Sequence, residues 1–224
     1  MQAPHRNQLV WLRNSGWEQV CERQDSAWDA EAQTILQHWR RMQLPLVVCM
    51  QRVPHNPATI SLGLPAPNRW NRRKLALEVL PQAIERTGEF PLLKQLAPVY
   101  INLPAMQKFL DVMQVHPVQL QVYGSFGWQF LTGMDYLRPT SDLDLRAQVP
   151  DHTMAREMAG ALGALQLPLR VDGELAFADG RAIAWREYLQ WVDGKVNSLL
   201  VKSRTSVQLM NGNALAALDQ GCFA

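Results

Sequence analysis

Two aspartates, Asp142 and Asp144, are separated by one residue in an apolar segment, and the dipeptide Gly124-Ser125 precedes them. In a strand, residues i and i+2 point to the same face, so both carboxylates lie on one side. Carboxylates held this close repel each other unless a cation lies between them, and a divalent metal is the usual cation. Glycine lets backbone N–H groups approach a phosphate closely, and serine adds a hydroxyl donor. The pattern therefore predicts a metal site that faces a phosphate-binding turn.

A second pair of carboxylates, Asp172 and Glu174, alternates with apolar residues in the later segment LRVDGELAF. Alternation places both side chains on one face of a strand. A carboxylate on a strand beside Asp144 would complete the ligands of one or two Mg²⁺ ions or act as a base toward an attacking hydroxyl. Periodicity does not choose between the two acids. The alternative interpretation is that all these acids are solvated residues on the open face of a sheet.

Four basic residues surround Trp70 in the segment APNRWNRRK: Arg69, Arg72, Arg73 and Lys74. One interpretation is a solvated loop. The other is a binding surface for a phosphorylated ligand or an acidic partner, because arginine matches the geometry of phosphate oxygens and an indole offers a stacking face. The local sequence leaves both interpretations open.

The composition limits the class of protein. A chain of 224 residues with 47% hydrophobic and 19% charged residues is typical of a soluble globular protein. A net charge of +2 is too close to neutral to indicate a nucleic-acid partner. The three cysteines are far apart and form no Cys-x-x-Cys pair, which favours the cytoplasm over a disulfide framework or a zinc site. No apolar run is long enough for a membrane span, so no membrane partner is expected.

The elements that must position these residues fall into two predicted domains. Residues 1–85 are expected to form a small mixed α/β domain with a helix over about 28–42, capped by Asp25 or Ser26. Three strands are predicted in this domain, with a turn at VPHNP after the first: PLVVCMQ, TISLGL and KLALEVL. From Pro81 to Met113 the pattern becomes helical.

Residues 86–224 are expected to form a larger domain, a mixed sheet with flanking helices, so the predicted fold class is α/β (α+β). The predicted strands are VQLQVYG, SDLDLRAQV and LRVDGELAF. The predicted helices are FGWQFLTG, PDHTMAREMAGALGAL with Asp151 as its cap, and WREYLQWV. The turn, the Asp-x-Asp motif and the later carboxylates therefore belong to successive strands of one domain.

At these residues the sequence resembles the nucleotidyltransferase superfamily, whose hallmark is a Gly-Ser turn followed by Asp-x-Asp. It is similar in more detail to the malonate decarboxylase holo-[acyl-carrier-protein] synthases, the phosphoribosyl-dephospho-CoA transferase family. Four segments carry the resemblance, the first being the most specific: GSFGWQFLTGMDYLRPTSDLDL, RVDGELAFADGRAIAWRE, HRNQLVWL and SLGLPAP. The resemblance covers most of the chain and implies a nucleotidyltransferase-like second domain.

The resemblance implies a specific reaction. Such an enzyme joins 2′-(5″-triphosphoribosyl)-3′-dephospho-CoA to a serine of the apo acyl carrier protein subunit of malonate decarboxylase, and diphosphate leaves. By the same resemblance, Gly124 and Ser125 hold the triphosphate and Asp142 and Asp144 hold Mg²⁺. The third position stays open between the two later acids.

The resemblance also makes the basic residues around Trp70 candidates for binding the CoA-like part of the donor. The same patch could instead attract a typically acidic carrier protein. Two other functions stay open at this point. One is a nucleotidyltransferase that uses an ordinary nucleoside triphosphate on another acceptor, and the other is a module that binds the carrier without catalysis. The presence of every expected acid counts against the second.

Overall fold

The computed structural model describes residues 3–22, 28–51, 58–100, 104–113, 116–167 and 169–211. The chain divides into two compact units. Unit 1 comprises Met1–Phe90, Thr132–Leu137 and Arg204–Ser206, and unit 2 comprises Pro91–Leu131, Arg138–Ser203 and Val207–Ala224. From the sequence alone, the first boundary is expected after residue 85. Among the described residues, no helix combines the length and the apolar character needed to cross a membrane.

Unit 1 contains a five-stranded antiparallel sheet with the strand order β4-β3-β2-β1-β5. Its strands are β1 (Leu9–Leu12), β2 (Leu46–Val48), β3 (Ile60–Pro65), β4 (Lys74–Val79) and β5 (Ile84–Gly88). Its helices include α1 (Asn14–Cys21) and α2 (Ala30–Met42). The three predicted strands are confirmed as β2, β3 and β4, whereas the predicted turn at residues 53–57 lies outside the described residues.

The core of unit 1 forms between its helices and its sheet. Trp17 of α1 and Trp39 of α2 are fully buried in one cluster with strand residues such as Leu62 and Leu77. Strand β4 is exposed at every second residue and buried at the others, which is the pattern of a strand with one face on a core. Burial of these apolar side chains is the main favourable contribution to the stability of this unit.

Helix α2 begins later than the sequence predicts. Its N-cap is Asp29, whose carboxylate Oδ1 accepts a hydrogen bond of 2.8 Å from the backbone N–H of Ala32. The predicted caps, Asp25 and Ser26, lie outside the described residues, and the helix that the structure describes is capped by Asp29 instead. Aspartate and serine are about equally good caps, so composition alone could not select among the candidates before the first apolar residue.

The helical pattern predicted from Pro81 to Met113 is wrong over its first part, because β5 occupies Ile84–Gly88 and pairs with β1. Strand β5 lies at the edge of the sheet and its central residues are exposed, so it lacks the apolar alternation of an inner strand. The guanidinium of Arg86 lies 3.5 Å from the ring centroid of Trp11 on the neighbouring strand. This tertiary contact supports the strand and cannot be read from local periodicity.

Unit 2 contains a six-stranded sheet with the strand order β11-β10-β9-β8-β7-β6. Its strands are β6 (Gln119–Tyr123), β7 (Leu143–Val149), β8 (Val171–Phe177), β9 (Ala182–Ala184), β10 (Ser198–Lys202) and β11 (Val207–Asn211). Strands β7 and β8 are parallel and the other neighbours are antiparallel. The sheet is therefore mixed, as the sequence predicts.

Helices of unit 2 precede, connect and follow these strands. They include α3 (Leu93–Tyr100), α4 (Pro104–Met113), α5 (Gly124–Thr132), α6 (His152–Ala164) and α7 (Trp185–Val192). The predicted cap Asp151 is confirmed, because its Oδ1 accepts a hydrogen bond of 2.8 Å from the backbone N–H of Met154. Helix α6 is the crossover that the parallel pair β7 and β8 requires.

Strand β7 has one buried and one accessible face. Its residues Leu143 and Leu145 are each 1% exposed, whereas Asp144 and Arg146 between and after them are partly exposed. Helix α6 contacts both β7 and β8, and its buried residues include Met158. The apolar face of the sheet thus forms the core, and the opposite face presents the polar residues.

Candidate functional site

Gly124 and Asp144 meet where β6 ends and α5 begins. Strand β6 pairs with β7 so that Tyr123 lies opposite Asp144, and Gly124 follows directly. Gly124 has a φ of +60°, and a Cβ added to it would lie 2.7 Å from the carboxyl carbon of Asp144, well inside van der Waals contact. Only glycine combines this backbone conformation with so close an approach. The structure therefore brings the Gly-Ser turn and the Asp-x-Asp motif together.

Ser125 is the second residue of α5 and is 8% exposed. The first backbone N–H groups of a helix have no partner within the helix, and the helix dipole favours negative charge at this end. The carboxylate of Asp144 lies close to Gly124, which is the first residue of this helix. The arrangement suits an anion that is also bound by a cation at Asp144.

Asp142 and Asp172 are joined by Arg170. Asp142 directly precedes β7, and Asp172 on β8 is the register partner of Asp144. Nη1 of Arg170 lies 3.6 Å from Oδ2 of Asp142, and Nη2 lies 3.4 Å from Oδ2 of Asp172. Both carboxylates are accessible, with side-chain exposures of 31% and 37%. Three aspartates and one arginine thus form a polar cluster at the start of the parallel pair.

Glu174 has a different environment from Asp172. It is 6% exposed, and its Oε1 accepts a hydrogen bond of 2.7 Å from Nζ of Lys202 on β10. Its register partner on β7 is Arg146, not an aspartate. A buried carboxylate requires such a partner, because transfer of an unpaired charge into the protein interior is costly. Glu174 is therefore held in an ion pair within the sheet.

Two features fix the backbone on either side of Asp172. Nη2 of Arg186, on α7, donates a hydrogen bond of 2.9 Å to the carbonyl oxygen of Val171. Gly173 has a φ of +142°, and a Cβ there would lie 2.7 Å from the carbonyl carbon of Leu145 on β7. A larger residue at Gly173 would push the two parallel strands apart beside the acids.

The oxygen ligands of this cluster suit Mg²⁺ by their chemistry, because this ion prefers carboxylate, phosphate and water oxygens. Within the described residues, no three His, Cys, Asp or Glu side chains converge in an arrangement that could hold a metal ion. Mg²⁺ does not need such a set, since it is usually bound by one or two carboxylates together with substrate phosphates and water. The residues present therefore fit an ion that binds with a phosphorylated substrate.

The basic residues around Trp70 belong to unit 1, whereas the turn and the acids belong to unit 2. Nη1 of Arg73 lies 2.8 Å from Oδ1 of Asp29 and 2.9 Å from Oε2 of Glu31, at the start of α2. The hydrogen bond from Arg73 to Asp29 is the largest of the causes that lower the pKa of Asp29. Arg73 therefore has a structural role at the helix cap.

The other members of the basic cluster have different surroundings. The guanidinium of Arg69 lies 3.7 Å from the ring centroid of Trp70, so it covers one indole face. Trp70 also contacts His38 and Trp39 of α2, with ring centroids 5.3 Å and 6.2 Å away. Arg72 has a φ of +57° in the turn before β4, and Lys74 is exposed on that strand. The predicted stacking face of Trp70 is thus partly occupied by neighbours.

Residues 132–137, which begin at the last residue of α5, cluster with unit 1. The hydroxyl of Tyr136 donates a hydrogen bond of 2.8 Å to the carbonyl oxygen of Pro65, and burial raises the pKa of this phenol. The backbone N–H of Asn68 donates to the carbonyl oxygen of Asp135 at 2.9 Å. The loop between the turn and the Asp-x-Asp motif therefore has fixed contacts with the segment that carries the basic residues.

A cavity of about 550 Å³ lies elsewhere in unit 2, at the beginning of β6. Its lining includes Leu93, Lys94, Leu110, Met113, His116 and Leu120. Gly124 follows the other end of β6, so this cavity does not contain the turn or the acids.

Sequence reasoning identified the turn and the acids but not all their neighbours. It did not assign Arg186 or Lys202 to the site. The segment RVDGELAF shows the basic residue Arg170 beside the acids, but neither α7 nor β10 can be placed against β8 from local patterns. Both contacts depend on the strand order of the sheet.

Both halves of the chain match models of one protein family. Residues 5–90 match the phosphoribosyl-dephospho-CoA transferase MdcG N-terminal domain, and residues 93–213 match the phosphoribosyl-dephospho-CoA transferase MdcG C-terminal domain. The second match contains the turn together with Asp142, Asp144, Asp172 and Glu174.

Curated proteins of the same name are similar over nearly the whole chain. The phosphoribosyl-dephospho-CoA transferase of Bradyrhizobium diazoefficiens is 33% identical over 213 residues, which cover 93% of this chain and 90% of the relative. That of Xanthomonas axonopodis pv. citri is 35% identical over 218 residues, which cover 94% and 95%. That of Azotobacter vinelandii is 31% identical over 185 residues, which cover 77% and 81%. No solved structure matches the chain.

Proposed function

The chain belongs to the phosphoribosyl-dephospho-CoA transferase family, and on that basis we propose that its donor is 2′-(5″-triphosphoribosyl)-3′-dephospho-CoA and its acceptor a carrier-protein serine. The proposed carrier is the apo acyl carrier protein subunit of malonate decarboxylase. The observation that supports the proposal is the close approach of Gly124 to Asp144, because it brings the proposed phosphate-binding turn beside the proposed metal-binding carboxylate. The protein is thus an enzyme of the transferase class.

The proposed reaction is transfer of a phosphoryl-linked group. The serine hydroxyl oxygen of the carrier attacks the α-phosphorus of the donor, and a new oxygen–phosphorus bond forms. The bond between the α-phosphorus and the bridging oxygen to the β-phosphorus breaks, and diphosphate leaves with that oxygen. The serine proton passes to a carboxylate base. The product is a phosphodiester between the serine and the prosthetic group.

We propose that the backbone N–H groups at Gly124 and Ser125 and the serine hydroxyl bind the triphosphate. A helix N-terminus supports this assignment, because its dipole favours bound phosphate. Asp142 and Asp144 would hold Mg²⁺. Bound Mg²⁺ would neutralise part of the negative charge on the phosphates.

For the third carboxylate we propose Asp172 and not Glu174. Asp172 is the register partner of Asp144 and shares Arg170 with Asp142. Glu174 is buried and paired with Lys202, so it is less able to exchange ligands or accept a proton. Asp172 is 37% exposed, and this accessibility supports its proposed role as the base toward the incoming hydroxyl.

For the basic cluster of unit 1 we propose a division of roles. Arg72 and Lys74 remain candidates for the CoA-like part of the donor or for an acidic carrier, and Arg69 adds charge beside Trp70. Arg73 already binds Asp29 and Glu31 at the start of α2, so its contribution to ligand binding is expected to be the smallest of the four.

A cytoplasmic location also stays a prediction from the composition.

Donor identity can be tested by thermal unfolding of the protein with Mg²⁺ and each candidate donor. A ligand that binds the folded state increases the free energy of unfolding, by about 2.7 kcal/mol at a concentration of 100 times its Kd. The melting temperature therefore rises. The triphosphoribosyl donor is expected to raise the melting temperature, and ATP or CTP is not. Stabilisation by ATP or CTP alone would contradict the proposed donor and favour an ordinary nucleotidyltransferase.

A further inference from the structure

We propose that Arg170 is a positioning residue that competes with the divalent cation for Asp142, and that it turns to the donor phosphates when the cation binds. This inference rests on the proposed metal and phosphate site. It assigns the coupling between metal and donor binding to one side chain.

The geometry of Arg170 is that of a weak cationic bridge. Its two terminal nitrogens each approach a different carboxylate, at 3.6 Å for Asp142 and 3.4 Å for Asp172. Close charge-assisted hydrogen bonds between nitrogen and oxygen are about 2.7–2.9 Å long. The guanidinium is thus positioned by two negative charges without a tight bond to either.

The exposure of the Arg170 side chain supports its ability to move away from the two carboxylates. Its side chain is 63% exposed, and exposed ion pairs contribute little to stability because water screens them. Its backbone is fixed, since the carbonyl oxygen of Arg170 accepts a hydrogen bond of 2.9 Å from the N–H of Leu143 on β7. The guanidinium of Arg170 can therefore move, while the backbone of Arg170 stays fixed beside Asp142.

The pair formed by Lys202 and Glu174 shows the contrasting case. That pair has a nitrogen–oxygen distance of 2.7 Å, and its carboxylate is only 6% exposed. A buried pair of this kind is costly to break, because one charge would remain without a partner. The same sheet therefore contains one permanent ion pair and one exchangeable bridge.

The consequence is a linkage between the two ligands. A cation that binds Asp142 and Asp144 must displace Arg170 from Asp142, which lowers the affinity of the free protein for the cation. Phosphates of the donor offer the displaced guanidinium a bidentate partner. Each ligand therefore increases the affinity for the other by the same factor.

The test measures Mn²⁺ binding, by electron paramagnetic resonance of the free ion, with Arg170→Gln and wild type. Lys195→Gln is the matched control, because Lys195 is 68% exposed in a surface ion pair of the same unit. Without donor, Arg170→Gln is expected to bind Mn²⁺ about fivefold or more tightly than wild type, which is the lower range of ordinary coupling. With donor present, the increase in Mn²⁺ affinity is expected to be smaller in Arg170→Gln than in wild type, because only the part that comes from direct coordination by the phosphates remains. Arg170→Lys keeps the positive charge but not the planar guanidinium. Its Mn²⁺ affinity is expected to lie between those of wild type and Arg170→Gln.

Equal or weaker Mn²⁺ affinity of Arg170→Gln without donor would overturn the proposal, as would an unchanged effect of donor. Absence of Mn²⁺ binding in both proteins would overturn it too. The first measurement needs neither donor nor carrier, so failure of the proposed transfer reaction would not alter its outcome.

Discussion

Gly124 lies so close to the carboxylate of Asp144 that it has no space for a side chain. A Cβ at Gly124 would lie 2.7 Å from the carboxyl carbon of Asp144. The positive φ of Gly124, +60°, turns the chain from β6 directly into α5 at this point. The turn that would bind phosphate and the carboxylate that would bind metal are therefore parts of one rigid arrangement. This relationship leads to the first prediction.

Gly124→Ala is expected to lower kcat by roughly 100-fold, because the new methyl group displaces the carboxylate and a small displacement in an active site can cost that much. Gly133→Ala is the matched control. Gly133 also has a positive φ, +68°, but a Cβ there meets no atom within 4 Å. The two variants share backbone strain and differ in the clash with Asp144. Equal kinetics in steady-state assays of both would show that the contact has no catalytic role.

The two later acids are expected to respond differently to neutralisation. Asp172→Asn should lower kcat by roughly 100-fold or more, as loss of a general base does, with little change in melting temperature. Glu174→Gln should instead destabilise the fold by about 1–3 kcal/mol, since a buried charged partner of Lys202 is removed. Denaturant unfolding and steady-state kinetics on both variants separate the roles.

Lys202→Met added to Glu174→Gln provides the control for that comparison. Removal of both charges eliminates the unpaired ammonium group and is expected to recover part of the lost stability. If Glu174→Gln instead abolished activity in a protein of normal stability, Glu174 and not Asp172 would be the third carboxylate.

Arg73→Ala is expected to lower stability at neutral pH, because Arg73 binds Asp29 at the cap of α2. The pKa of Asp29 in the folded protein lies below its ordinary value of 3.8, with the hydrogen bond from Arg73 as the largest cause. Its contribution to stability is therefore present above about pH 4 and is lost as the pH falls through the folded-state pKa. The difference in unfolding free energy between wild type and Arg73→Ala should shrink over that acidic range.

Arg41→Ala serves as the comparison for Arg73→Ala, because Arg41 is an arginine of α2 whose described partner is His38 and not a carboxylate. Its stability difference from wild type is expected to be small and not to shrink in acid. A constant difference for Arg73→Ala from pH 7 to pH 3, measured by urea unfolding, would be evidence against the proposed pairing.

The double variant Arg72→Ala with Lys74→Ala should raise the KM of the donor or of the carrier by roughly two- to tenfold, as loss of exposed charge contacts does. The effect should decrease as salt is added, because salt screens such contacts. Arg73 stays unchanged in this variant, so the cap of α2 is preserved. Unchanged KM values at low and at physiological salt would mean that these residues are only a solvated surface.

The main elements of unit 2 were predictable because their patterns are local. The Asp-x-Asp spacing predicts that both acids share a face, and the alternation in LRVDGELAF predicts a partner strand. The proposed preference for Asp172 over Glu174 is not predictable from the sequence, because it depends on Lys202, which reaches Glu174 only through the order of β8, β9 and β10.

The errors in unit 1 also have tertiary causes. Arg73 pairs with Asp29 across 44 positions of the chain, so a local count of positive charges could not show that this arginine is engaged. Strand β5 pairs with β1 and has an exposed centre, so its sequence lacks the alternation that identifies a strand. Local signals predicted α2, α5, α6 and α7 and six of the strands, but α1 and the inner strands β1 and β10 were not predicted.

The intact mass of the carrier shows directly whether the proposed transfer takes place. Purified apo carrier, Mg²⁺ and the triphosphoribosyl donor are incubated with wild-type protein, with Asp142→Asn plus Asp144→Asn, or with Gly133→Ala, and the carrier is then analysed by mass spectrometry. We expect a mass increase equal to one phosphoribosyl-dephospho-CoA group, located on a serine, with wild type and Gly133→Ala, and none with the double aspartate variant. An unmodified carrier with wild type, or full modification by the double variant, would contradict the account.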